Sequence, residues 1–450
     1  MNHKNEKYGL FTAIAMIVGI CIGSGIFFKS DNILIATNGS IILGVLVFAI
    51  GAIAIIFGGL CFSELASRTS KPGGVVTYMD EFSGKRSACS FGWFQTFIYY
   101  PTLTAVVSWV VGIYTCILFN LKNTLEQQIL IGSAFLIICY VYNTLSAKIG
   151  GIFQNAATII KLIPLALLAV FGFIFGNPME GLQNVSPSHL MGLTWISAIG
   201  PIAFAFDGWV VSTSIAHEVK NSKKNMPRAL IIAPFIILAC YVLYFIGITT
   251  FVGTEKVLEM GDVHVQYAAQ QLFGSLFAKA ITVFVVISVM GTLNGLVLGF
   301  IRMPYSMAIR EGMFPFAKKL SIVNKKFNMP VYSAVFASAL SAFWMVLHYL
   351  TTKFKLLPNS DVSEISIAVS YVFYILLYYR VFQMYKRKEI KSVWKGIVYP
   401  IFATIGSLII LYGAFQSKLF LIYAAICVLV IVASIVFYTK KMKKIKQTIS

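Results

Sequence analysis

The segments GICIGSGIFF (Gly19–Phe28) and GPIAFAFDGW (Gly200–Trp209) decide the fold, because each one interrupts a long apolar stretch near its middle. The first contains three glycines and a serine, and the second contains a Gly-Pro pair followed by Asp207 and Gly208. These residues support a helix poorly. Each stretch is therefore predicted to consist of two half-helices joined by an unwound turn.

The composition indicates that the chain folds in a bilayer. Hydrophobic residues make up 58% of its 450 positions and charged residues only 12%, whereas soluble domains carry about 25% charged residues. The net charge of +20 comes from basic clusters between apolar stretches, such as those around Lys224, Lys386 and Lys440. Such clusters are typical of cytoplasmic loops, and they argue against nucleic-acid binding as the reason for the charge.

Apolar windows bounded by glycine, proline and charge predict an all-α polytopic membrane protein with 12 transmembrane helices. The predicted spans lie at about 9–36, 40–66, 86–119, 128–146, 150–176, 192–218, 228–253, 276–309, 330–350, 362–383, 395–415 and 418–439. With the N-terminus inside, the cytoplasmic segments hold 28 of the 36 Lys and Arg residues. Because positive charge accumulates in cytoplasmic loops, both termini are predicted to be cytoplasmic, in a multi-pass protein of the cell membrane. The polar segment 254–275 is predicted to form short amphipathic helices at the outer surface.

The spans divide into a five-plus-five arrangement within a single membrane transport domain, 1–450. Repeat one covers about 9–176, repeat two about 192–383, and two further helices lie at about 395–439. The first and sixth spans begin the two halves, and these are the interrupted ones. Interrupted spans at corresponding positions of two halves indicate the binding site of a secondary transporter.

An unwound turn in hydrocarbon leaves backbone groups unpaired, at several kcal/mol each, unless protein or ligand satisfies them. A zwitterionic amino acid can satisfy them, since its carboxylate accepts from N–H groups at the positive start of a half-helix. Its ammonium donates to carbonyls freed at the other broken end. Close helix packing is the alternative explanation for Gly19 and Gly23, which have GxxxG spacing. Packing does not account for a second interruption that carries an acid.

Two ionisable residues lie deep within predicted spans, Lys161 in the fifth and Asp207 in the sixth. A charged side chain at the bilayer centre costs about 2.5–3.5 kcal/mol on insertion scales, so each needs a partner or a water-filled cavity. Lys161 lies roughly 16 Å into its span, which is far for snorkelling to the surface. Asp207 is predicted either to cap the helix at the break or to contact the substrate directly.

Several motifs resemble those of the L-amino-acid transporter family, within the amino acid–polyamine–organocation superfamily. They are IGSGIFF (Ile22–Phe28), FAFDGW (Phe204–Trp209), HEVKNSKKNMPRA (His217–Ala229), GTLNG (Gly291–Gly295) and SMAIREGMFP (Ser306–Pro315). The matches cover about residues 10–335. IGSGIFF is shared across the superfamily, whereas FAFDGW with EVKN, and the Asn-Gly pair, point to this family more narrowly.

The resemblance implies two inverted five-helix repeats, two further helices, and a substrate held at both breaks. The substrate-binding residues carried over by position are Cys21, Gly23, Ser24, Gly25, Phe204, Ala205, Asp207, Asn294 and Tyr244. The Gly-Ser-Gly triplet is expected to meet the substrate carboxylate, and main-chain carbonyls of Cys21 and of the sixth-span residues its ammonium. Phe204 is also expected to be an aromatic gate, and Asn294 to contribute to side-chain selectivity. A tyrosine of the seventh helix, Tyr244 or Tyr241, is expected to cap the site.

The resemblance also matches Lys161 to a fifth-helix lysine that, in sodium-independent members, occupies the position of a structural sodium ion. Its ammonium is expected to bridge the first and eighth helices, by donating to backbone carbonyls and to a hydroxyl such as that of Ser288. The alternative is that Lys161 carries a transported proton.

The sequence therefore predicts a sodium-independent secondary transporter that exchanges neutral L-amino acids by alternating access. The alternatives are a proton-coupled amino acid symporter and a sensor that binds an amino acid without moving it. The 5 histidines and 7 cysteines show no catalytic or metal-ligand spacing, so no enzyme activity, cofactor or metal is predicted. The expected partners are an amino acid and the lipid bilayer. No covalent heavy subunit is expected, since the loop near residues 122–128 has no cysteine.

Overall fold

The computed structural model describes residues 8–23, 25–177, 195, 198, 202, 205–260, 264–357, 361–415 and 420–449. Nearly all of these residues are helical, and the strand-like pairs among them are two isolated bridges, Tyr8–Val219 and Asn324–Met329. The predicted all-α fold is confirmed.

The helices form two groups in the sequence, one before the sixth span and one after it. The first group is α1 (Leu10–Cys21), α2 (Gly25–Ala36), α3 (Ile41–Ala66), α4 (Val75–Phe82), α5 (Lys85–Phe94), α6 (Tyr100–Leu118), α7 (Leu125–Leu145) and α8 (Ala147–Phe175). The second group is α9 (Ser222–Val252), α10 (Thr254–Met260), α11 (His264–Ala308), α12 (Ala317–Leu320), α13 (Val331–Lys353), α14 (Glu364–Lys386), α15 (Tyr399–Phe415) and α16 (Phe420–Ile449). A π-helical turn, Gln95–Tyr99, joins α5 to α6, and another, Trp394–Val398, precedes α15.

Within the described residues, ten continuous helical segments are long and apolar enough to cross a membrane. The predicted first span is formed by the two half-helices α1 and α2, and residues 205–218 are the described end of the predicted sixth span. The polytopic membrane fold with interrupted first and sixth spans is thus confirmed. The single domain, its division into repeats at about 9–176 and 192–383, and their inverted relation stay predictions.

The outward surfaces of the helices are apolar, as a protein dissolved in hydrocarbon requires. Leu421 of α16 is 78% exposed and Leu130 of α7 is 71% exposed. Backbone groups are satisfied within each helix, so apolar side chains can face the lipid without exposing polar atoms to it. These exposed apolar side chains therefore face lipid in the membrane.

The interior of the bundle is built around α1 and α11. α1 packs against α8, α9 and α11, and α11 also packs against α6. The end of α1 is therefore enclosed on several sides by other helices. This arrangement places the first break at the centre of the protein, away from lipid.

The two largest differences from the predicted boundaries lie at the end of the last helix and before the eighth span. The last helix was predicted to end near residue 439, but α16 continues to Ile449. The hydrophobic signal stops at the membrane surface, whereas the lysines that follow are good helix formers and let the helix continue into water. The polar segment before the eighth span contains α10 and the start of α11, which bends at Gly274, where φ is 79°.

Candidate functional site

The first break follows directly from the glycine-rich sequence. α1 ends at Cys21 and α2 begins at Gly25, and Ile22 and Gly23, which follow α1, are not helical. The N–H of Gly23 donates to the carbonyl of Cys21 at 2.9 Å, which folds the chain back on itself. The first N–H groups of α2 have no partner within their own helix. Ser24, predicted to bind the substrate, lies outside the described residues.

The second break lies beside the first. Residues 206–210 form turns after Ala205, and a 3₁₀ segment, Val211–Glu218, follows. Gly208 has a φ of 92°, and a Cβ at this position would lie 2.3 Å from Cγ2 of Ile20. Only glycine combines this backbone conformation with so close an approach. The predicted gate, Phe204, lies outside the described residues.

Lys161 connects the first break to the eighth span. Its side chain is fully buried, and Nζ donates to the carbonyls of Gly19 and Ile22, at 2.6 Å each. Both carbonyls are left without helical partners because α1 ends at this point. The hydroxyl of Thr292 lies 3.4 Å from Nζ. The ammonium thus has three acceptors for its three protons.

The structure corrects the prediction that Ser288 supplies the hydroxyl partner of Lys161. Its Oγ is buried without a hydrogen-bond partner in the described part of the chain. Thr292 lies one turn further along α11, and its hydroxyl approaches Lys161 and also donates to the Gly19 carbonyl at 3.2 Å. The bridge between the first and eighth spans therefore uses Thr292.

A tyrosine of the seventh span joins the two breaks, and it is Tyr241. Its hydroxyl lies 2.7 Å from the carbonyl of Cys21 and 2.6 Å from that of Ala205, so it can donate to either. Of the two tyrosines considered from the sequence, Tyr244 was taken as the site residue, and the structure places Tyr241 there instead. A hydroxyl has a single proton, so one of the two carbonyls remains without a donor from Tyr241 at any moment.

Asp207 accepts a hydrogen bond from the hydroxyl of Tyr99 at 2.8 Å, and its side chain is buried. The N-cap position of the following 3₁₀ segment is Val210, so Asp207 does not cap that segment. Tyr99 belongs to the π-helical turn that precedes Pro101. Proline has no N–H to donate to the carbonyl of Phe97, and Trp344 donates to that carbonyl at 2.8 Å. The irregular turn directs Tyr99 toward the second break.

A small cavity of about 30 Å³ lies between the breaks. It is lined by Ile20, Cys21, Gly23, Gly25, Leu103, Val107, Ala205, Asp207, Gly208, Thr292 and Leu296. Five of the residues predicted from the two motifs therefore meet around one space. This space is smaller than an amino acid, so an amino acid can enter only when the walls of the cavity separate.

Comparison with known proteins agrees with this architecture. A sequence model of the family described as amino acid permease matches residues 8–438. The chain belongs to the amino acid permease family. It is similar to the serine/threonine exchanger SteT of Bacillus subtilis (strain 168), with 32% identity over 415 residues that cover 91% of both chains.

Human relatives extend the similarity. The permease is 26% identical to human b(0,+)-type amino acid transporter 1 over 449 residues, which cover 96% of this chain and 87% of that one. It is 28% identical to human Asc-type amino acid transporter 1 over 342 residues, which cover 72% of this chain and 63% of that one. The family resemblance seen in the motifs is confirmed, and the permease is an amino acid transporter and not an enzyme.

Asn294 is not among the residues that line the cavity of the permease. The oxygen of its side-chain amide accepts hydrogen bonds from Tyr142 at 2.7 Å and from Asn143 at 2.9 Å. The nitrogen of the same amide donates to the carbonyl of Gly150 at 3.1 Å and to the side chain of Gln154 at 2.8 Å. All four partners belong to α7 and α8, so Asn294 joins these helices to α11. The side chains that α11 presents to the cavity are those of Thr292 and Leu296.

The end of the sixth span is held to the N-terminal segment and to α11. Tyr8 pairs with the chain around Val219: its N–H donates to the Glu218 carbonyl at 3.0 Å, and its carbonyl accepts from Lys220 at 2.8 Å. The carboxylate of Glu218 accepts from Nε of Arg302 at 2.7 Å, and both side chains are buried. These contacts hold the N-terminal segment, the end of the sixth span and α11 together on the side where the first helix begins.

Two groups at the site were missed by sequence reasoning. Tyr99 and the apolar pair Leu103 and Val107 come from the third span, which the motifs do not cover. A signal for Tyr99 was present, because two tyrosines precede Pro101 within an apolar run, and a buried tyrosine hydroxyl usually needs a partner. No signal in the sequence separated Leu103 and Val107 from the other apolar residues of that span.

Tyr241→Phe is expected to lower the rate of amino acid transport about tenfold and to lower the melting temperature, because it leaves a buried carbonyl without a donor. Transport of radiolabelled amino acid by proteoliposomes, together with thermal unfolding of the purified protein, measures both effects. Tyr78→Phe is the matched control, since its hydroxyl is also buried but has no hydrogen-bond partner in the part of the chain described. Equal behaviour of the two variants would show that Tyr241 does not support the breaks.

Proposed function

We propose that the permease exchanges neutral L-amino acids across the cell membrane by alternating access and without sodium. The observation that carries the proposal is the ammonium of Lys161, which donates to the two freed carbonyls of Gly19 and Ile22. A fixed positive charge at this place satisfies the freed carbonyls, as a bound cation would do by coordination. The same charge repels a sodium ion electrostatically. A transporter built in this way gains no driving force from a sodium gradient, so exchange is the mode that the site favours.

The proposed substrate contacts use both breaks. The substrate carboxylate accepts from the N–H groups of Gly23, Ser24 and Gly25 at the positive start of α2. The ammonium donates to carbonyls of Cys21, Phe204, Ala205 and Asp207. Tyr241 supports this arrangement, because its single proton leaves one of the carbonyls of Cys21 and Ala205 available to an ammonium.

The lining of the cavity supports neutral substrates. Among the described residues, those that line the cavity carry no cationic side chain that could pair with an acidic amino acid, and the carboxylate of Asp207 already accepts from Tyr99. Leu103, Val107 and Leu296 surround the remaining space and favour a small or apolar side chain. SteT, which is named a serine/threonine exchanger, handles amino acids of this class. We propose small neutral L-amino acids as the substrates.

The proposed topology places both termini in the cytoplasm and needs no covalently bound heavy subunit. The described loop between α6 and α7 contains no cysteine. Cys116, the nearest cysteine, is buried within α6. The thiol of Cys116 is therefore not exposed to another chain.

Counterflow in proteoliposomes tests the proposal. Vesicles preloaded with unlabelled L-serine are expected to take up radiolabelled L-serine, whereas empty vesicles are not, and replacing sodium by choline is expected to leave the rate unchanged. Uptake by empty vesicles under an inward proton gradient would instead identify a proton symporter, with Lys161 as the candidate proton site. Saturable binding without any counterflow would identify a sensor.

A further inference from the structure

A second cavity, of about 640 Å³, lies where α3 and α14 end, far from the two breaks. It is lined by Arg68, Asp80, Glu81, Phe82, Ser83, Gly84, Arg380, Gln383, Met384, Arg387 and Glu389. We call this space the arginine cavity. It shares no residue with the cavity between the breaks or with any motif considered above, and it contains three guanidinium groups.

Two of these guanidinium groups have donors that nothing in the described chain accepts. The Nε atoms of Arg68 and Arg380 are both buried without a hydrogen-bond partner in the residues that the structure describes. Arg380 makes a single hydrogen bond there, from Nη1 to the amide oxygen of Gln383 at 2.6 Å. Buried donors of a charged group are costly to leave unpaired. They indicate an acceptor that is not part of the protein.

The carboxylates around the arginine cavity do not neutralise it. Asp80 pairs with Arg310 at 3.3 Å, and Glu81 pairs with Lys71 at 2.7 Å. Both carboxylates therefore form ion pairs with cationic side chains that do not line the cavity.

Glu389 lies 4.0 Å from Arg68 and is the nearest acid to it. Across the described residues, no carboxylate lies within salt-bridge distance of Arg380 or Arg387. The cavity therefore has an excess of positive charge in its wall on the α14 side.

The position of the arginine cavity matches the level of lipid headgroups. Tyr379, the residue before Arg380, is 52% exposed, and Trp394, beyond the loop that follows α14, is 66% exposed. Tyrosine and tryptophan are enriched at the boundary between hydrocarbon and water. Exposed aromatic residues on both sides of the arginines place the guanidinium groups where phospholipid phosphates lie.

We propose that the arginine cavity binds the headgroup of an anionic phospholipid, with the lipid phosphate accepting from Arg380, Arg387 and Arg68. Guanidinium groups bind phosphate oxygens through paired N–H donors, and basic pockets between transmembrane helices hold acidic headgroups. The phosphate satisfies the unpaired Nε donors and balances the charge of Arg380 and Arg387. It also joins the end of α3 to the end of α14.

Native mass spectrometry of the full chain in detergent tests this site. The probes are phosphatidylglycerol, phosphatidylcholine and inorganic phosphate, each titrated against the wild type and against the Arg380→Gln/Arg387→Gln double variant. We expect one phosphatidylglycerol to remain bound to the wild type, and the double variant to need at least about tenfold more of it. Phosphatidylcholine and inorganic phosphate are expected to bind much more weakly.

Arg228→Gln is the matched control, because Arg228 is exposed and α9 begins on the side where α14 ends. It is expected to bind phosphatidylglycerol like the wild type. If the double variant elutes as an aggregate, the single variant Arg387→Gln, at an exposed residue, is used and is expected to bind several-fold more weakly. Unchanged binding by the folded variant would overturn the site. Inorganic phosphate that binds as tightly as phosphatidylglycerol and displaces it would overturn the lipid as its ligand.

Discussion

Replacing Lys161 with alanine is expected to reduce amino acid exchange by at least about tenfold while the protein still folds and reaches the membrane. The change removes the ammonium from two buried carbonyls, and a carbonyl left unsatisfied costs about 1–3 kcal/mol. The carbonyl of Gly19 keeps the hydroxyl of Thr292, but that of Ile22 would have to find a new partner, and the break would lose its fixed geometry. Counterflow of radiolabelled L-serine in proteoliposomes, corrected for the amount of reconstituted protein, measures the loss.

Lys148→Ala is the control for this experiment, because Lys148 is an exposed lysine of the same helix, α8. Its exchange rate is expected to match that of the wild type. Lys161→Met separates charge from volume, since methionine fills the space without donating a hydrogen bond, and it is expected to lose exchange as alanine does. Wild-type exchange by Lys161→Ala would refute the role of the ammonium at the break.

Replacing Gly25 with valine is expected to abolish substrate binding. Gly25 lines the cavity at the first residue of α2, where the substrate carboxylate is proposed to approach the backbone. Valine adds three carbon atoms beside a space of about 30 Å³ and keeps the carboxylate away from the N–H groups. Isothermal titration of the purified variant with L-serine is expected to show no binding, against a saturable signal for the wild type.

Gly9→Val is the matched control, since Gly9 also belongs to the first span but has open space where a Cβ would be. Its backbone is extended, with φ at −92°, so valine fits there without strain. Both variants are checked by size-exclusion chromatography before titration. An affinity of Gly25→Val equal to that of the wild type would mean that the break serves packing and not binding.

The fold and the location of the site could be predicted from the sequence because both depend on backbone physics. Long apolar runs must be helices in a membrane, and the positions of Gly, Pro and Ser show where a helix stops. The breaks at Gly23 and Asp207 needed no knowledge of packing. Lys161 was found in the same way, since a lysine in mid-membrane needs acceptors.

The side-chain partners could not be predicted, because residues one helical turn apart share a face. Tyr241 and Tyr244 are three positions apart, and Ser288 and Thr292 are four apart, so sequence spacing cannot choose within either pair. Only the position of each helix along its axis decides which hydroxyl reaches the break.

Asn294 was misplaced for a related reason. It lies two positions from Thr292, and two residues turn an α-helix by about 200°. A helix that presents Thr292 to the cavity must therefore direct Asn294 to the other side, toward α7 and α8. Once the contact of Thr292 with the cavity is known, the direction of Asn294 follows from helix geometry. The sequence alone supplied neither of these contacts.

The short backbone pairing between Tyr8 and the chain at Val219 has a mechanical consequence. It ties the start of the first broken helix to the end of the second with main-chain hydrogen bonds, which do not depend on side-chain identity. The two broken helices are thus held together near the N-terminal end of the first as well as at their breaks. Release of an amino acid toward that side requires either that both helices move together or that these backbone hydrogen bonds break first.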